Sequence, residues 1–467
     1  MGQLPAGQNQ LFYELCLDDY VPQDHLLRQI DPFLNLNNLR QHLSTYYSHT
    51  GRPSIDPELM MRMLIIGYCF GIRSERRLCE EIQVNLAYRW FCRLGLEDEI
   101  PDHSTFSKNR HGRFRESDAF RHLFETVLQR CMKEGLVQGE GFATDASIIK
   151  ADAHRQRRIP GEEAIDWGDS REASRPVREY LAALEQHNTP RHVPKAISLT
   201  DPLSSWISRG GIASFGYSTN YLIDIAEGII VDVEASPVNS TAEVNTTKKM
   251  IDRVEERFAI KPNRLLGDTA YGTATMLGWL VDEKKILPHT PVWDRSEGKA
   301  ELFGRSDFTW EADADRYLCP AGKTLERNRR NYTKHRRGIT KDNTIIYSAS
   351  KLDCDPCPLK TQCCPTTPAR KIHRSIHEDA RDVARALTKT EAYAQSVRDR
   401  KKVEMLFAHL KRILKLTRLR LRGMTGANDE FILAATVQNL RRMAKLCSSG
   451  ILILLRAEVD RSLIHIS

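Results

Sequence analysis

Three carboxylates far apart in the chain sit where an acid is costly unless it binds something. Asp145 lies in the middle of FATDASII, residues 142–149, whose apolar run reads as a buried strand. An acid there costs on the order of several kcal/mol in desolvation unless a partner compensates it, and a metal ion is one such partner. Asp268 follows a short strand, Arg264 to Gly267, in LLGDTAYG. Ligand groups in sheet-based folds gather where strands end, and Gly267 and Gly272 leave room for close backbone approach. Glu404 stands within RDRKKVEMLFAHLKRILKLTRLRLR, residues 398–422. Ten Lys or Arg in that stretch face only Asp399 and Glu404, ten minus two or +8, equal to the formal net charge of the whole chain. A single acid fixed in a row of cations suits a metal-binding carboxylate beside a phosphate backbone. The bland alternative is an amphipathic helix with a solvated basic face.

The elements that must position these acids are legible from periodicity. The stretch from Arg398 to Arg422 reads as one helix, with Val403, Leu406, Phe407, Leu410, Ile413 and Leu414 as its buried stripe. Arg400, Glu404, Lys411 and Lys415 then fall within roughly 60° of one another on its flank. Residues 1–135 read as helical. Asp56 to Phe70 is an apolar helix with Pro57 in its first turn, and Ser74 caps a second helix through Ile82. The three-residue turn Gly71 to Arg73 between them suits either a DNA-reading helix-turn-helix or a generic bundle. The basic patch Lys108, Arg110, His111, Arg113 and Arg115 leans towards nucleic acid. Tyr221 to Ile225 and Ile229 to Glu234 read as strands of a hairpin closed by Ala226-Glu227-Gly228. A helix with Met250, Val254 and Phe258 in one row follows, then the Asp268 strand, a helix over 273–284 and a strand over 286–292. A last helix runs from Phe431 to Leu446. Residues 150–214 and 293–380 break the pattern and read as insertions, and 447–467 as a tail.

The totals set the broad class. At 467 residues, 41% hydrophobic and 28% charged, the chain has the composition of a globular protein of two or three domains. The basic balance is a weak pointer to a polyanionic partner. No secretory signal opens the chain, and the longest apolar stretch, Met60 to Ile72, contains Arg62 and is too short for a bilayer. Eleven cysteines without such a signal imply reduced thiols in a cytosol. Cys354 and Cys357 have metal-knuckle spacing. With Cys319 and Cys363 or Cys364 they would make a four-thiolate Zn²⁺ site; reduced cysteines without metal are the other reading.

The order strand, hairpin, helix, strand, helix, strand, insertion and Glu-bearing helix resembles the ribonuclease-H-like fold of DDE transposases. ATDAS around Asp145 and GDTAY around Asp268 are similar to the first two acid motifs of bacterial insertion-sequence transposases. The third motif of one branch is Tyr, two residues, Arg, three residues, Glu, six residues, Lys. Arg400, Glu404 and Lys411 match its spacing, and Val397 stands where the Tyr would be. SLTDP at 198–202, FGYSTN at 215–220 and the helical segment 12–114 also look like this family. The resemblance implies an α/β ribonuclease-H-like mixed sheet core over 136–446 with insertions, preceded by an all-α DNA-end-binding domain over 1–135. It implies Asp145, Asp268 and Glu404 holding two Mg²⁺ ions, with Mn²⁺ as a substitute, and Arg400, Lys411 and Lys415 on DNA phosphates. The implied partner is double-stranded DNA, both element ends and target, bound by a homodimer in a bacterial cytoplasm at the nucleoid, with no membrane role. Rival readings are a non-catalytic DNA-binding remnant of a silenced element and a nuclease of the same fold that cuts without joining.

Overall fold

The computed structural model describes residues 16–47, 54–163, 165–186, 193–208, 211–293, 302–327 and 338–448. The chain packs as two compact units, residues 1–261 with 401–467, and residues 262–400. In the first unit, α1 (Pro57–Cys69) begins as its sequence predicts: Asp56 Oδ1 accepts from Glu58 N at 2.7 Å and Pro57 occupies the first position. α2 (Glu75–Val84) is capped by Ser74. The turn between them needs Gly71, whose φ is +65° and whose missing Cβ would lie 2.9 Å from Ile413 O. α3 (Ala119–Lys133) closes the helical region by burying Phe120, Leu123, Phe124 and Val127.

The sheet of this unit is antiparallel. β1 (Gly141–Lys150) pairs with β3 (Ser214–Asp224), β3 with both β2 (Ser205–Ile207) and β4 (Ile229–Ser236). β3 starts seven residues before the expected Tyr221, because 216–220 of FGYSTN continue the ladder opposite 146–150. α4 (Ser240–Phe258) follows, capped by Asn239, and buries Val244, Met250, Ile251 and Val254 on one face of the sheet.

The second unit opens with β5 (Arg264–Leu266), α5 (Ala274–Gly278) and β6 (Leu287–His289), the two strands pairing parallel. A five-stranded antiparallel sheet follows, β7 (Thr309–Glu311), β8 (Arg316–Leu318), β9 (Thr324–Arg327), β10 (Thr344–Ala349) and β11 (Lys371–Ser375). Its own small core gathers Phe308, Tyr317, Leu325, Tyr347 and Ile372, so this stretch is a packed sheet rather than an irregular insertion. α6 (Glu378–Leu387) packs Ala380 and Ala384 on Leu277 of α5. The approach is close enough that a Cβ on Gly278 would sit 2.2 Å from the His377 ring.

α7 (Glu391–Arg412) starts in this unit, where Ser396 Oγ meets His289 Nδ1 at 2.7 Å, and its last turns belong to the first unit. It ends at Arg412, ten residues before the expected end. Lys415 takes a left-handed φ of +52°, and residues 413–422 run as an irregular ribbon of turns and bends with one isolated bridge, Arg418 to Lys150. α8 (Gly423–Ser448) packs against α1, α3 and β4. Asn439 exchanges two hydrogen bonds with the Ile230 backbone (2.9 and 2.8 Å), and Asn428 accepts from Ala235 N (3.0 Å). Those side chains satisfy edge groups of β4 that would otherwise template another strand. The architecture is mixed α/β, a helical N-terminal region followed by a mixed sheet core, as the ribonuclease-H-like reading expects. Among the described residues no helix is long and apolar enough to cross a membrane.

Candidate active site

Asp145 stands at the middle of β1, directly opposite Tyr221 of β3. Opposed residues of an antiparallel pair share a face of the sheet, and the surroundings of Tyr221 identify that face. Its ring stacks on Phe407 of α7 (4.8 Å between centroids), and its hydroxyl donates to Gln438 Oε1 of α8 at 2.8 Å. Thr144 turns the other way, meeting Thr247 of α4 at 2.9 Å. The half-buried Asp145 therefore faces α7 and α8, and one of its oxygens accepts from Ala146 N at 2.8 Å.

Glu404 lies three residues before Phe407, so it sits about one helical turn from the ring that covers Tyr221. Its carboxylate is on an exposed position of α7 while Val403, Phe407 and Leu410 are buried. The register of α7 on the sheet is pinned by Lys402, whose Nζ donates to the Ile225 and Ala226 carbonyls, and by Gln438 Nε2, which donates to Leu406 O at 2.8 Å. Asp145 and Glu404 thus belong to one unit and to one side of its sheet.

Asp268 belongs to the second unit. It follows β5 and caps the turn Thr269–Tyr271, accepting from Ala270 N at 2.8 Å. The room left by its two glycines is taken by protein. A Cβ on Gly267 would press the Tyr271 ring at 3.0 Å, and one on Gly272 would collide with Pro291 O. These glycines serve close packing, not ligand approach.

The flanking cations divide. Arg400 is half-buried on α7, and Lys411 is half-buried one residue before its end, where burial holds the ammonium below the ordinary lysine range. Lys415 does not share their stripe. The helix has ended before it, and the buried Leu414, Leu416, Leu419 and Leu421 follow one another at steps of two, three and two residues, which do not continue the helical stripe. Val397, at the motif's Tyr position, is 53% exposed and carries no ring to pack. On the other flank of α7 a cavity of about 530 Å³ is lined by Leu26, Met405, Leu406, His409, Arg441 and Lys445. Burial, then Arg441, pushes the His409 imidazole down to about 4, so it is neutral at pH 7 and adds no cation there.

Among the described residues no group of three or more His, Cys, Asp or Glu side chains is gathered closely enough to hold a metal ion. The four-cysteine set Cys319, Cys354, Cys357 and Cys363 expected for zinc is therefore not assembled. Cys354 and Cys363 each hydrogen-bond to the buried Cys364 instead, and burial pushes the Cys363 thiol up to about 11. Cys319 is held in its own turn, where Lys323 N donates to its sulfur at 3.2 Å.

The basic patch at 108–115 is also reassigned. Arg110 is buried, paired with Glu75 at 2.9 Å and donating to Tyr68 OH. Arg115 pairs with Asp429 at 3.3 Å and donates to Arg422 O and Thr425 Oγ1. Arg113 lies over the Tyr47 ring and donates to Asn109 and Ser54. In the helix-turn-helix candidate, Gly71 packs against Ile413, and Arg76 and Arg77 of α2 are paired with Glu80 and Glu81.

Sequence reasoning missed Tyr221, Gln438 and Lys402, which hold the acid-bearing helix on its strand. Tyr221 reads only as the first residue of an expected strand, and a glutamine and a lysine in helices carry no signal. Compared with known families, residues 15–112 match the model described as Transposase domain (DUF772), and residues 318–444 match that described as Transposase DDE domain. The second match includes Arg400, Glu404 and Lys411 and leaves out Asp145 and Asp268. No curated protein matches the chain. Among solved structures, a cryo-EM structure of the piggyBac transposase synaptic complex with hairpin DNA aligns over 91% of this chain and 73% of its own. Its identity is 10% and its TM-score 0.33, too low to carry an argument.

Proposed function

We propose, for a chain that is an insertion-sequence DDE transposase, that it binds the ends of its element and cuts and rejoins DNA with Asp145, Asp268 and Glu404. One observation carries this reading: Asp145 and Glu404 come from positions 259 residues apart (404 minus 145) onto one side of one sheet. Carboxylate oxygens are the hard donors that Mg²⁺ takes, with Mn²⁺ as a substitute. When bound, two such ions about 3.5–4 Å apart activate a water and stabilise the leaving oxygen on opposite sides of phosphorus. The three acids are donors of that chemical type, and among the described residues they are not gathered into a metal-holding group. Asp145 is fixed by a strand with paired neighbours on both sides, Glu404 by a helix pinned at Lys402 and Leu406, and Asp268 by the turn it caps.

Arg400 and Lys411 flank Glu404 by four and seven residues, one and two turns of α7, and would neutralise phosphates either side of the cut. The lowered pKa of Lys411 reflects the burial of a charge that a phosphate would compensate. The freed 3′-hydroxyl would then serve as the nucleophile for joining, at the same carboxylates. The partner is double-stranded DNA, and pairing two ends calls for two copies of the chain in the bound state.

Purified Asp145→Asn and Glu404→Gln should bind a duplex carrying the element end as the unaltered protein does. Their Mg²⁺-dependent cleavage should fall by about a thousandfold or more. Substantial nicking by either variant would refute the assignment. A strand-transfer assay with a pre-cut end separates a joining enzyme from a nuclease that stops at the cut.

A further inference from the structure

The irregular ribbon 413–422 faces the core with four leucines, all wholly buried: Leu414, Leu416, Leu419 and Leu421. Between them Lys415, Arg418, Arg420 and Arg422 are exposed. The ribbon lies beside the end of β1, with Lys150 N donating to Thr417 O (3.3 Å) and Leu419 N to Lys150 O (2.8 Å). The chain leaving β1 is exposed and basic too, through Lys150, Arg155, Arg157 and Arg158. Segments 150–158 and 415–422 together hold eight Lys or Arg and one acid, Asp152, an excess of eight minus one, or +7. Asp152 pairs with Arg418 (3.3 Å) and Arg422 (3.0 Å), which ties the two segments together. Among the described residues no ion pair engages Lys150, Lys415, Arg420, Arg155 or Arg157.

The ribbon is also held rigid. Glu430, wholly buried, accepts from Arg420 N at 2.5 Å and Leu421 N at 2.6 Å, and its other oxygen pairs with Arg73. Arg115 donates to Arg422 O. A buried carboxylate spent on the backbone of Arg420 and Leu421 holds this part of the ribbon in place, with Leu421 turned inward and Arg420 outward. Four exposed cations, Lys415, Arg418, Arg420 and Arg422, thus fall within eight consecutive residues. Each strand of a duplex presents a phosphate about every 3.4 Å of axis. Preorganised donors lose less ordering entropy on binding.

We infer that this ribbon, with the end of β1 and the turn after it, is a second DNA-contact surface, separate from the acids. It binds the phosphodiester backbone of duplex DNA without reading sequence. The inference rests on the transposase reading above and adds where the duplex continues beyond the cut.

The test is duplex binding by fluorescence anisotropy, with a short mixed-sequence duplex and the full chain, over a range of salt. Lys415→Glu/Arg420→Glu should lower affinity by about tenfold or more and reduce the slope of log K against log salt by about two, one for each cation lost. Arg155→Glu/Arg157→Glu, on the other segment, should do the same. Lys133→Glu/Arg171→Glu, exposed cations elsewhere, should leave both quantities unchanged. Matching thermal midpoints show that the ribbon variants fold. Wild-type affinity and slope in both ribbon variants, in a protein that still cleaves DNA, overturns the ribbon and leaves the catalytic reading standing. Loss of binding to polyglutamate with duplex affinity intact identifies an acidic protein partner and also overturns it. A wild-type chain that neither binds nor cuts duplex DNA overturns both.

Discussion

Two basic runs of this chain, 108–115 and 415–422, look alike in sequence and are put to opposite uses. In the first, Arg110, Arg113 and Arg115 turn inward onto Glu75, Asn109 and Asp429, and hold helices together. In the second, the leucines turn inward and the cations out, with backbone groups satisfied by Glu430 and Lys150. Charge density alone could not tell them apart. What separates them is where carboxylates reach the cations: Asp152 takes Arg418 and Arg422 at the surface, and among the described residues no ion pair engages Lys415 or Arg420. An arginine that meets an acid in the core stabilises the fold, and one that meets only solvent is available to a phosphate.

The sharpest way to break this contrast is to truncate one member of each run. Arg110→Ala leaves Glu75 and Tyr68 OH without their buried partner and should destabilise the fold by about 3–5 kcal/mol. Lys415→Ala and Arg420→Ala should shift stability by no more than about 0.5 kcal/mol. Denaturant unfolding with an unchanged m-value checks both, and a costly Arg420→Ala would make the ribbon structural. Next in size is Glu430→Gln. It keeps the shape but puts one amide where two backbone N–H groups and Arg73 all donate, and should cost about 1–3 kcal/mol. Duplex binding should weaken with it if the clamp presents the ribbon.

The smallest effect is a pH dependence. Burial outweighs Arg115 and pushes the Asp429 carboxyl up to about 7. Its unfolded value is the ordinary one near 3.8, so between those values the folded state holds the extra proton. Stability from this group is therefore present at low pH and is lost as pH rises from about 4 to about 7, with no further change above. Asp429→Asn should flatten that part of the profile. A fall that persists unchanged in the variant assigns the slope to another group, of which the buried Asp201, raised to about 6, is the first to test.

Local chemistry in the sequence was enough for many elements and for the family. Asp56-Pro57 and Ser74 start their helices because a side-chain oxygen or a proline ring acts within three residues. The hairpin turn closes at Gly228, φ +69°, for the same kind of reason. The motif around Arg400, Glu404 and Lys411 lies in the segment that matches the transposase DDE domain. Other features were out of reach. The helix carrying Glu404 appeared to continue to Arg422, because Leu410, Ile413 and Leu414 continue a helical stripe and nothing in the sequence marks the left-handed Lys415 just beyond its end. The packed sheet over 309–375 was hidden by strands of three to six residues, too short to show a period.

By itself the sequence determined which acids and cations exist, where many of the helices and strands begin, and that three carboxylates stand in settings unusual for structural acids. Tertiary structure alone decided that Asp145 and Glu404 share a side of one sheet, and that one arginine run is internal glue while another faces outward. The reason is physical: caps, turns and periodic stripes act over a few residues. The fate of a charge depends on which opposite charge arrives from hundreds of residues away, and only the folded chain makes that encounter.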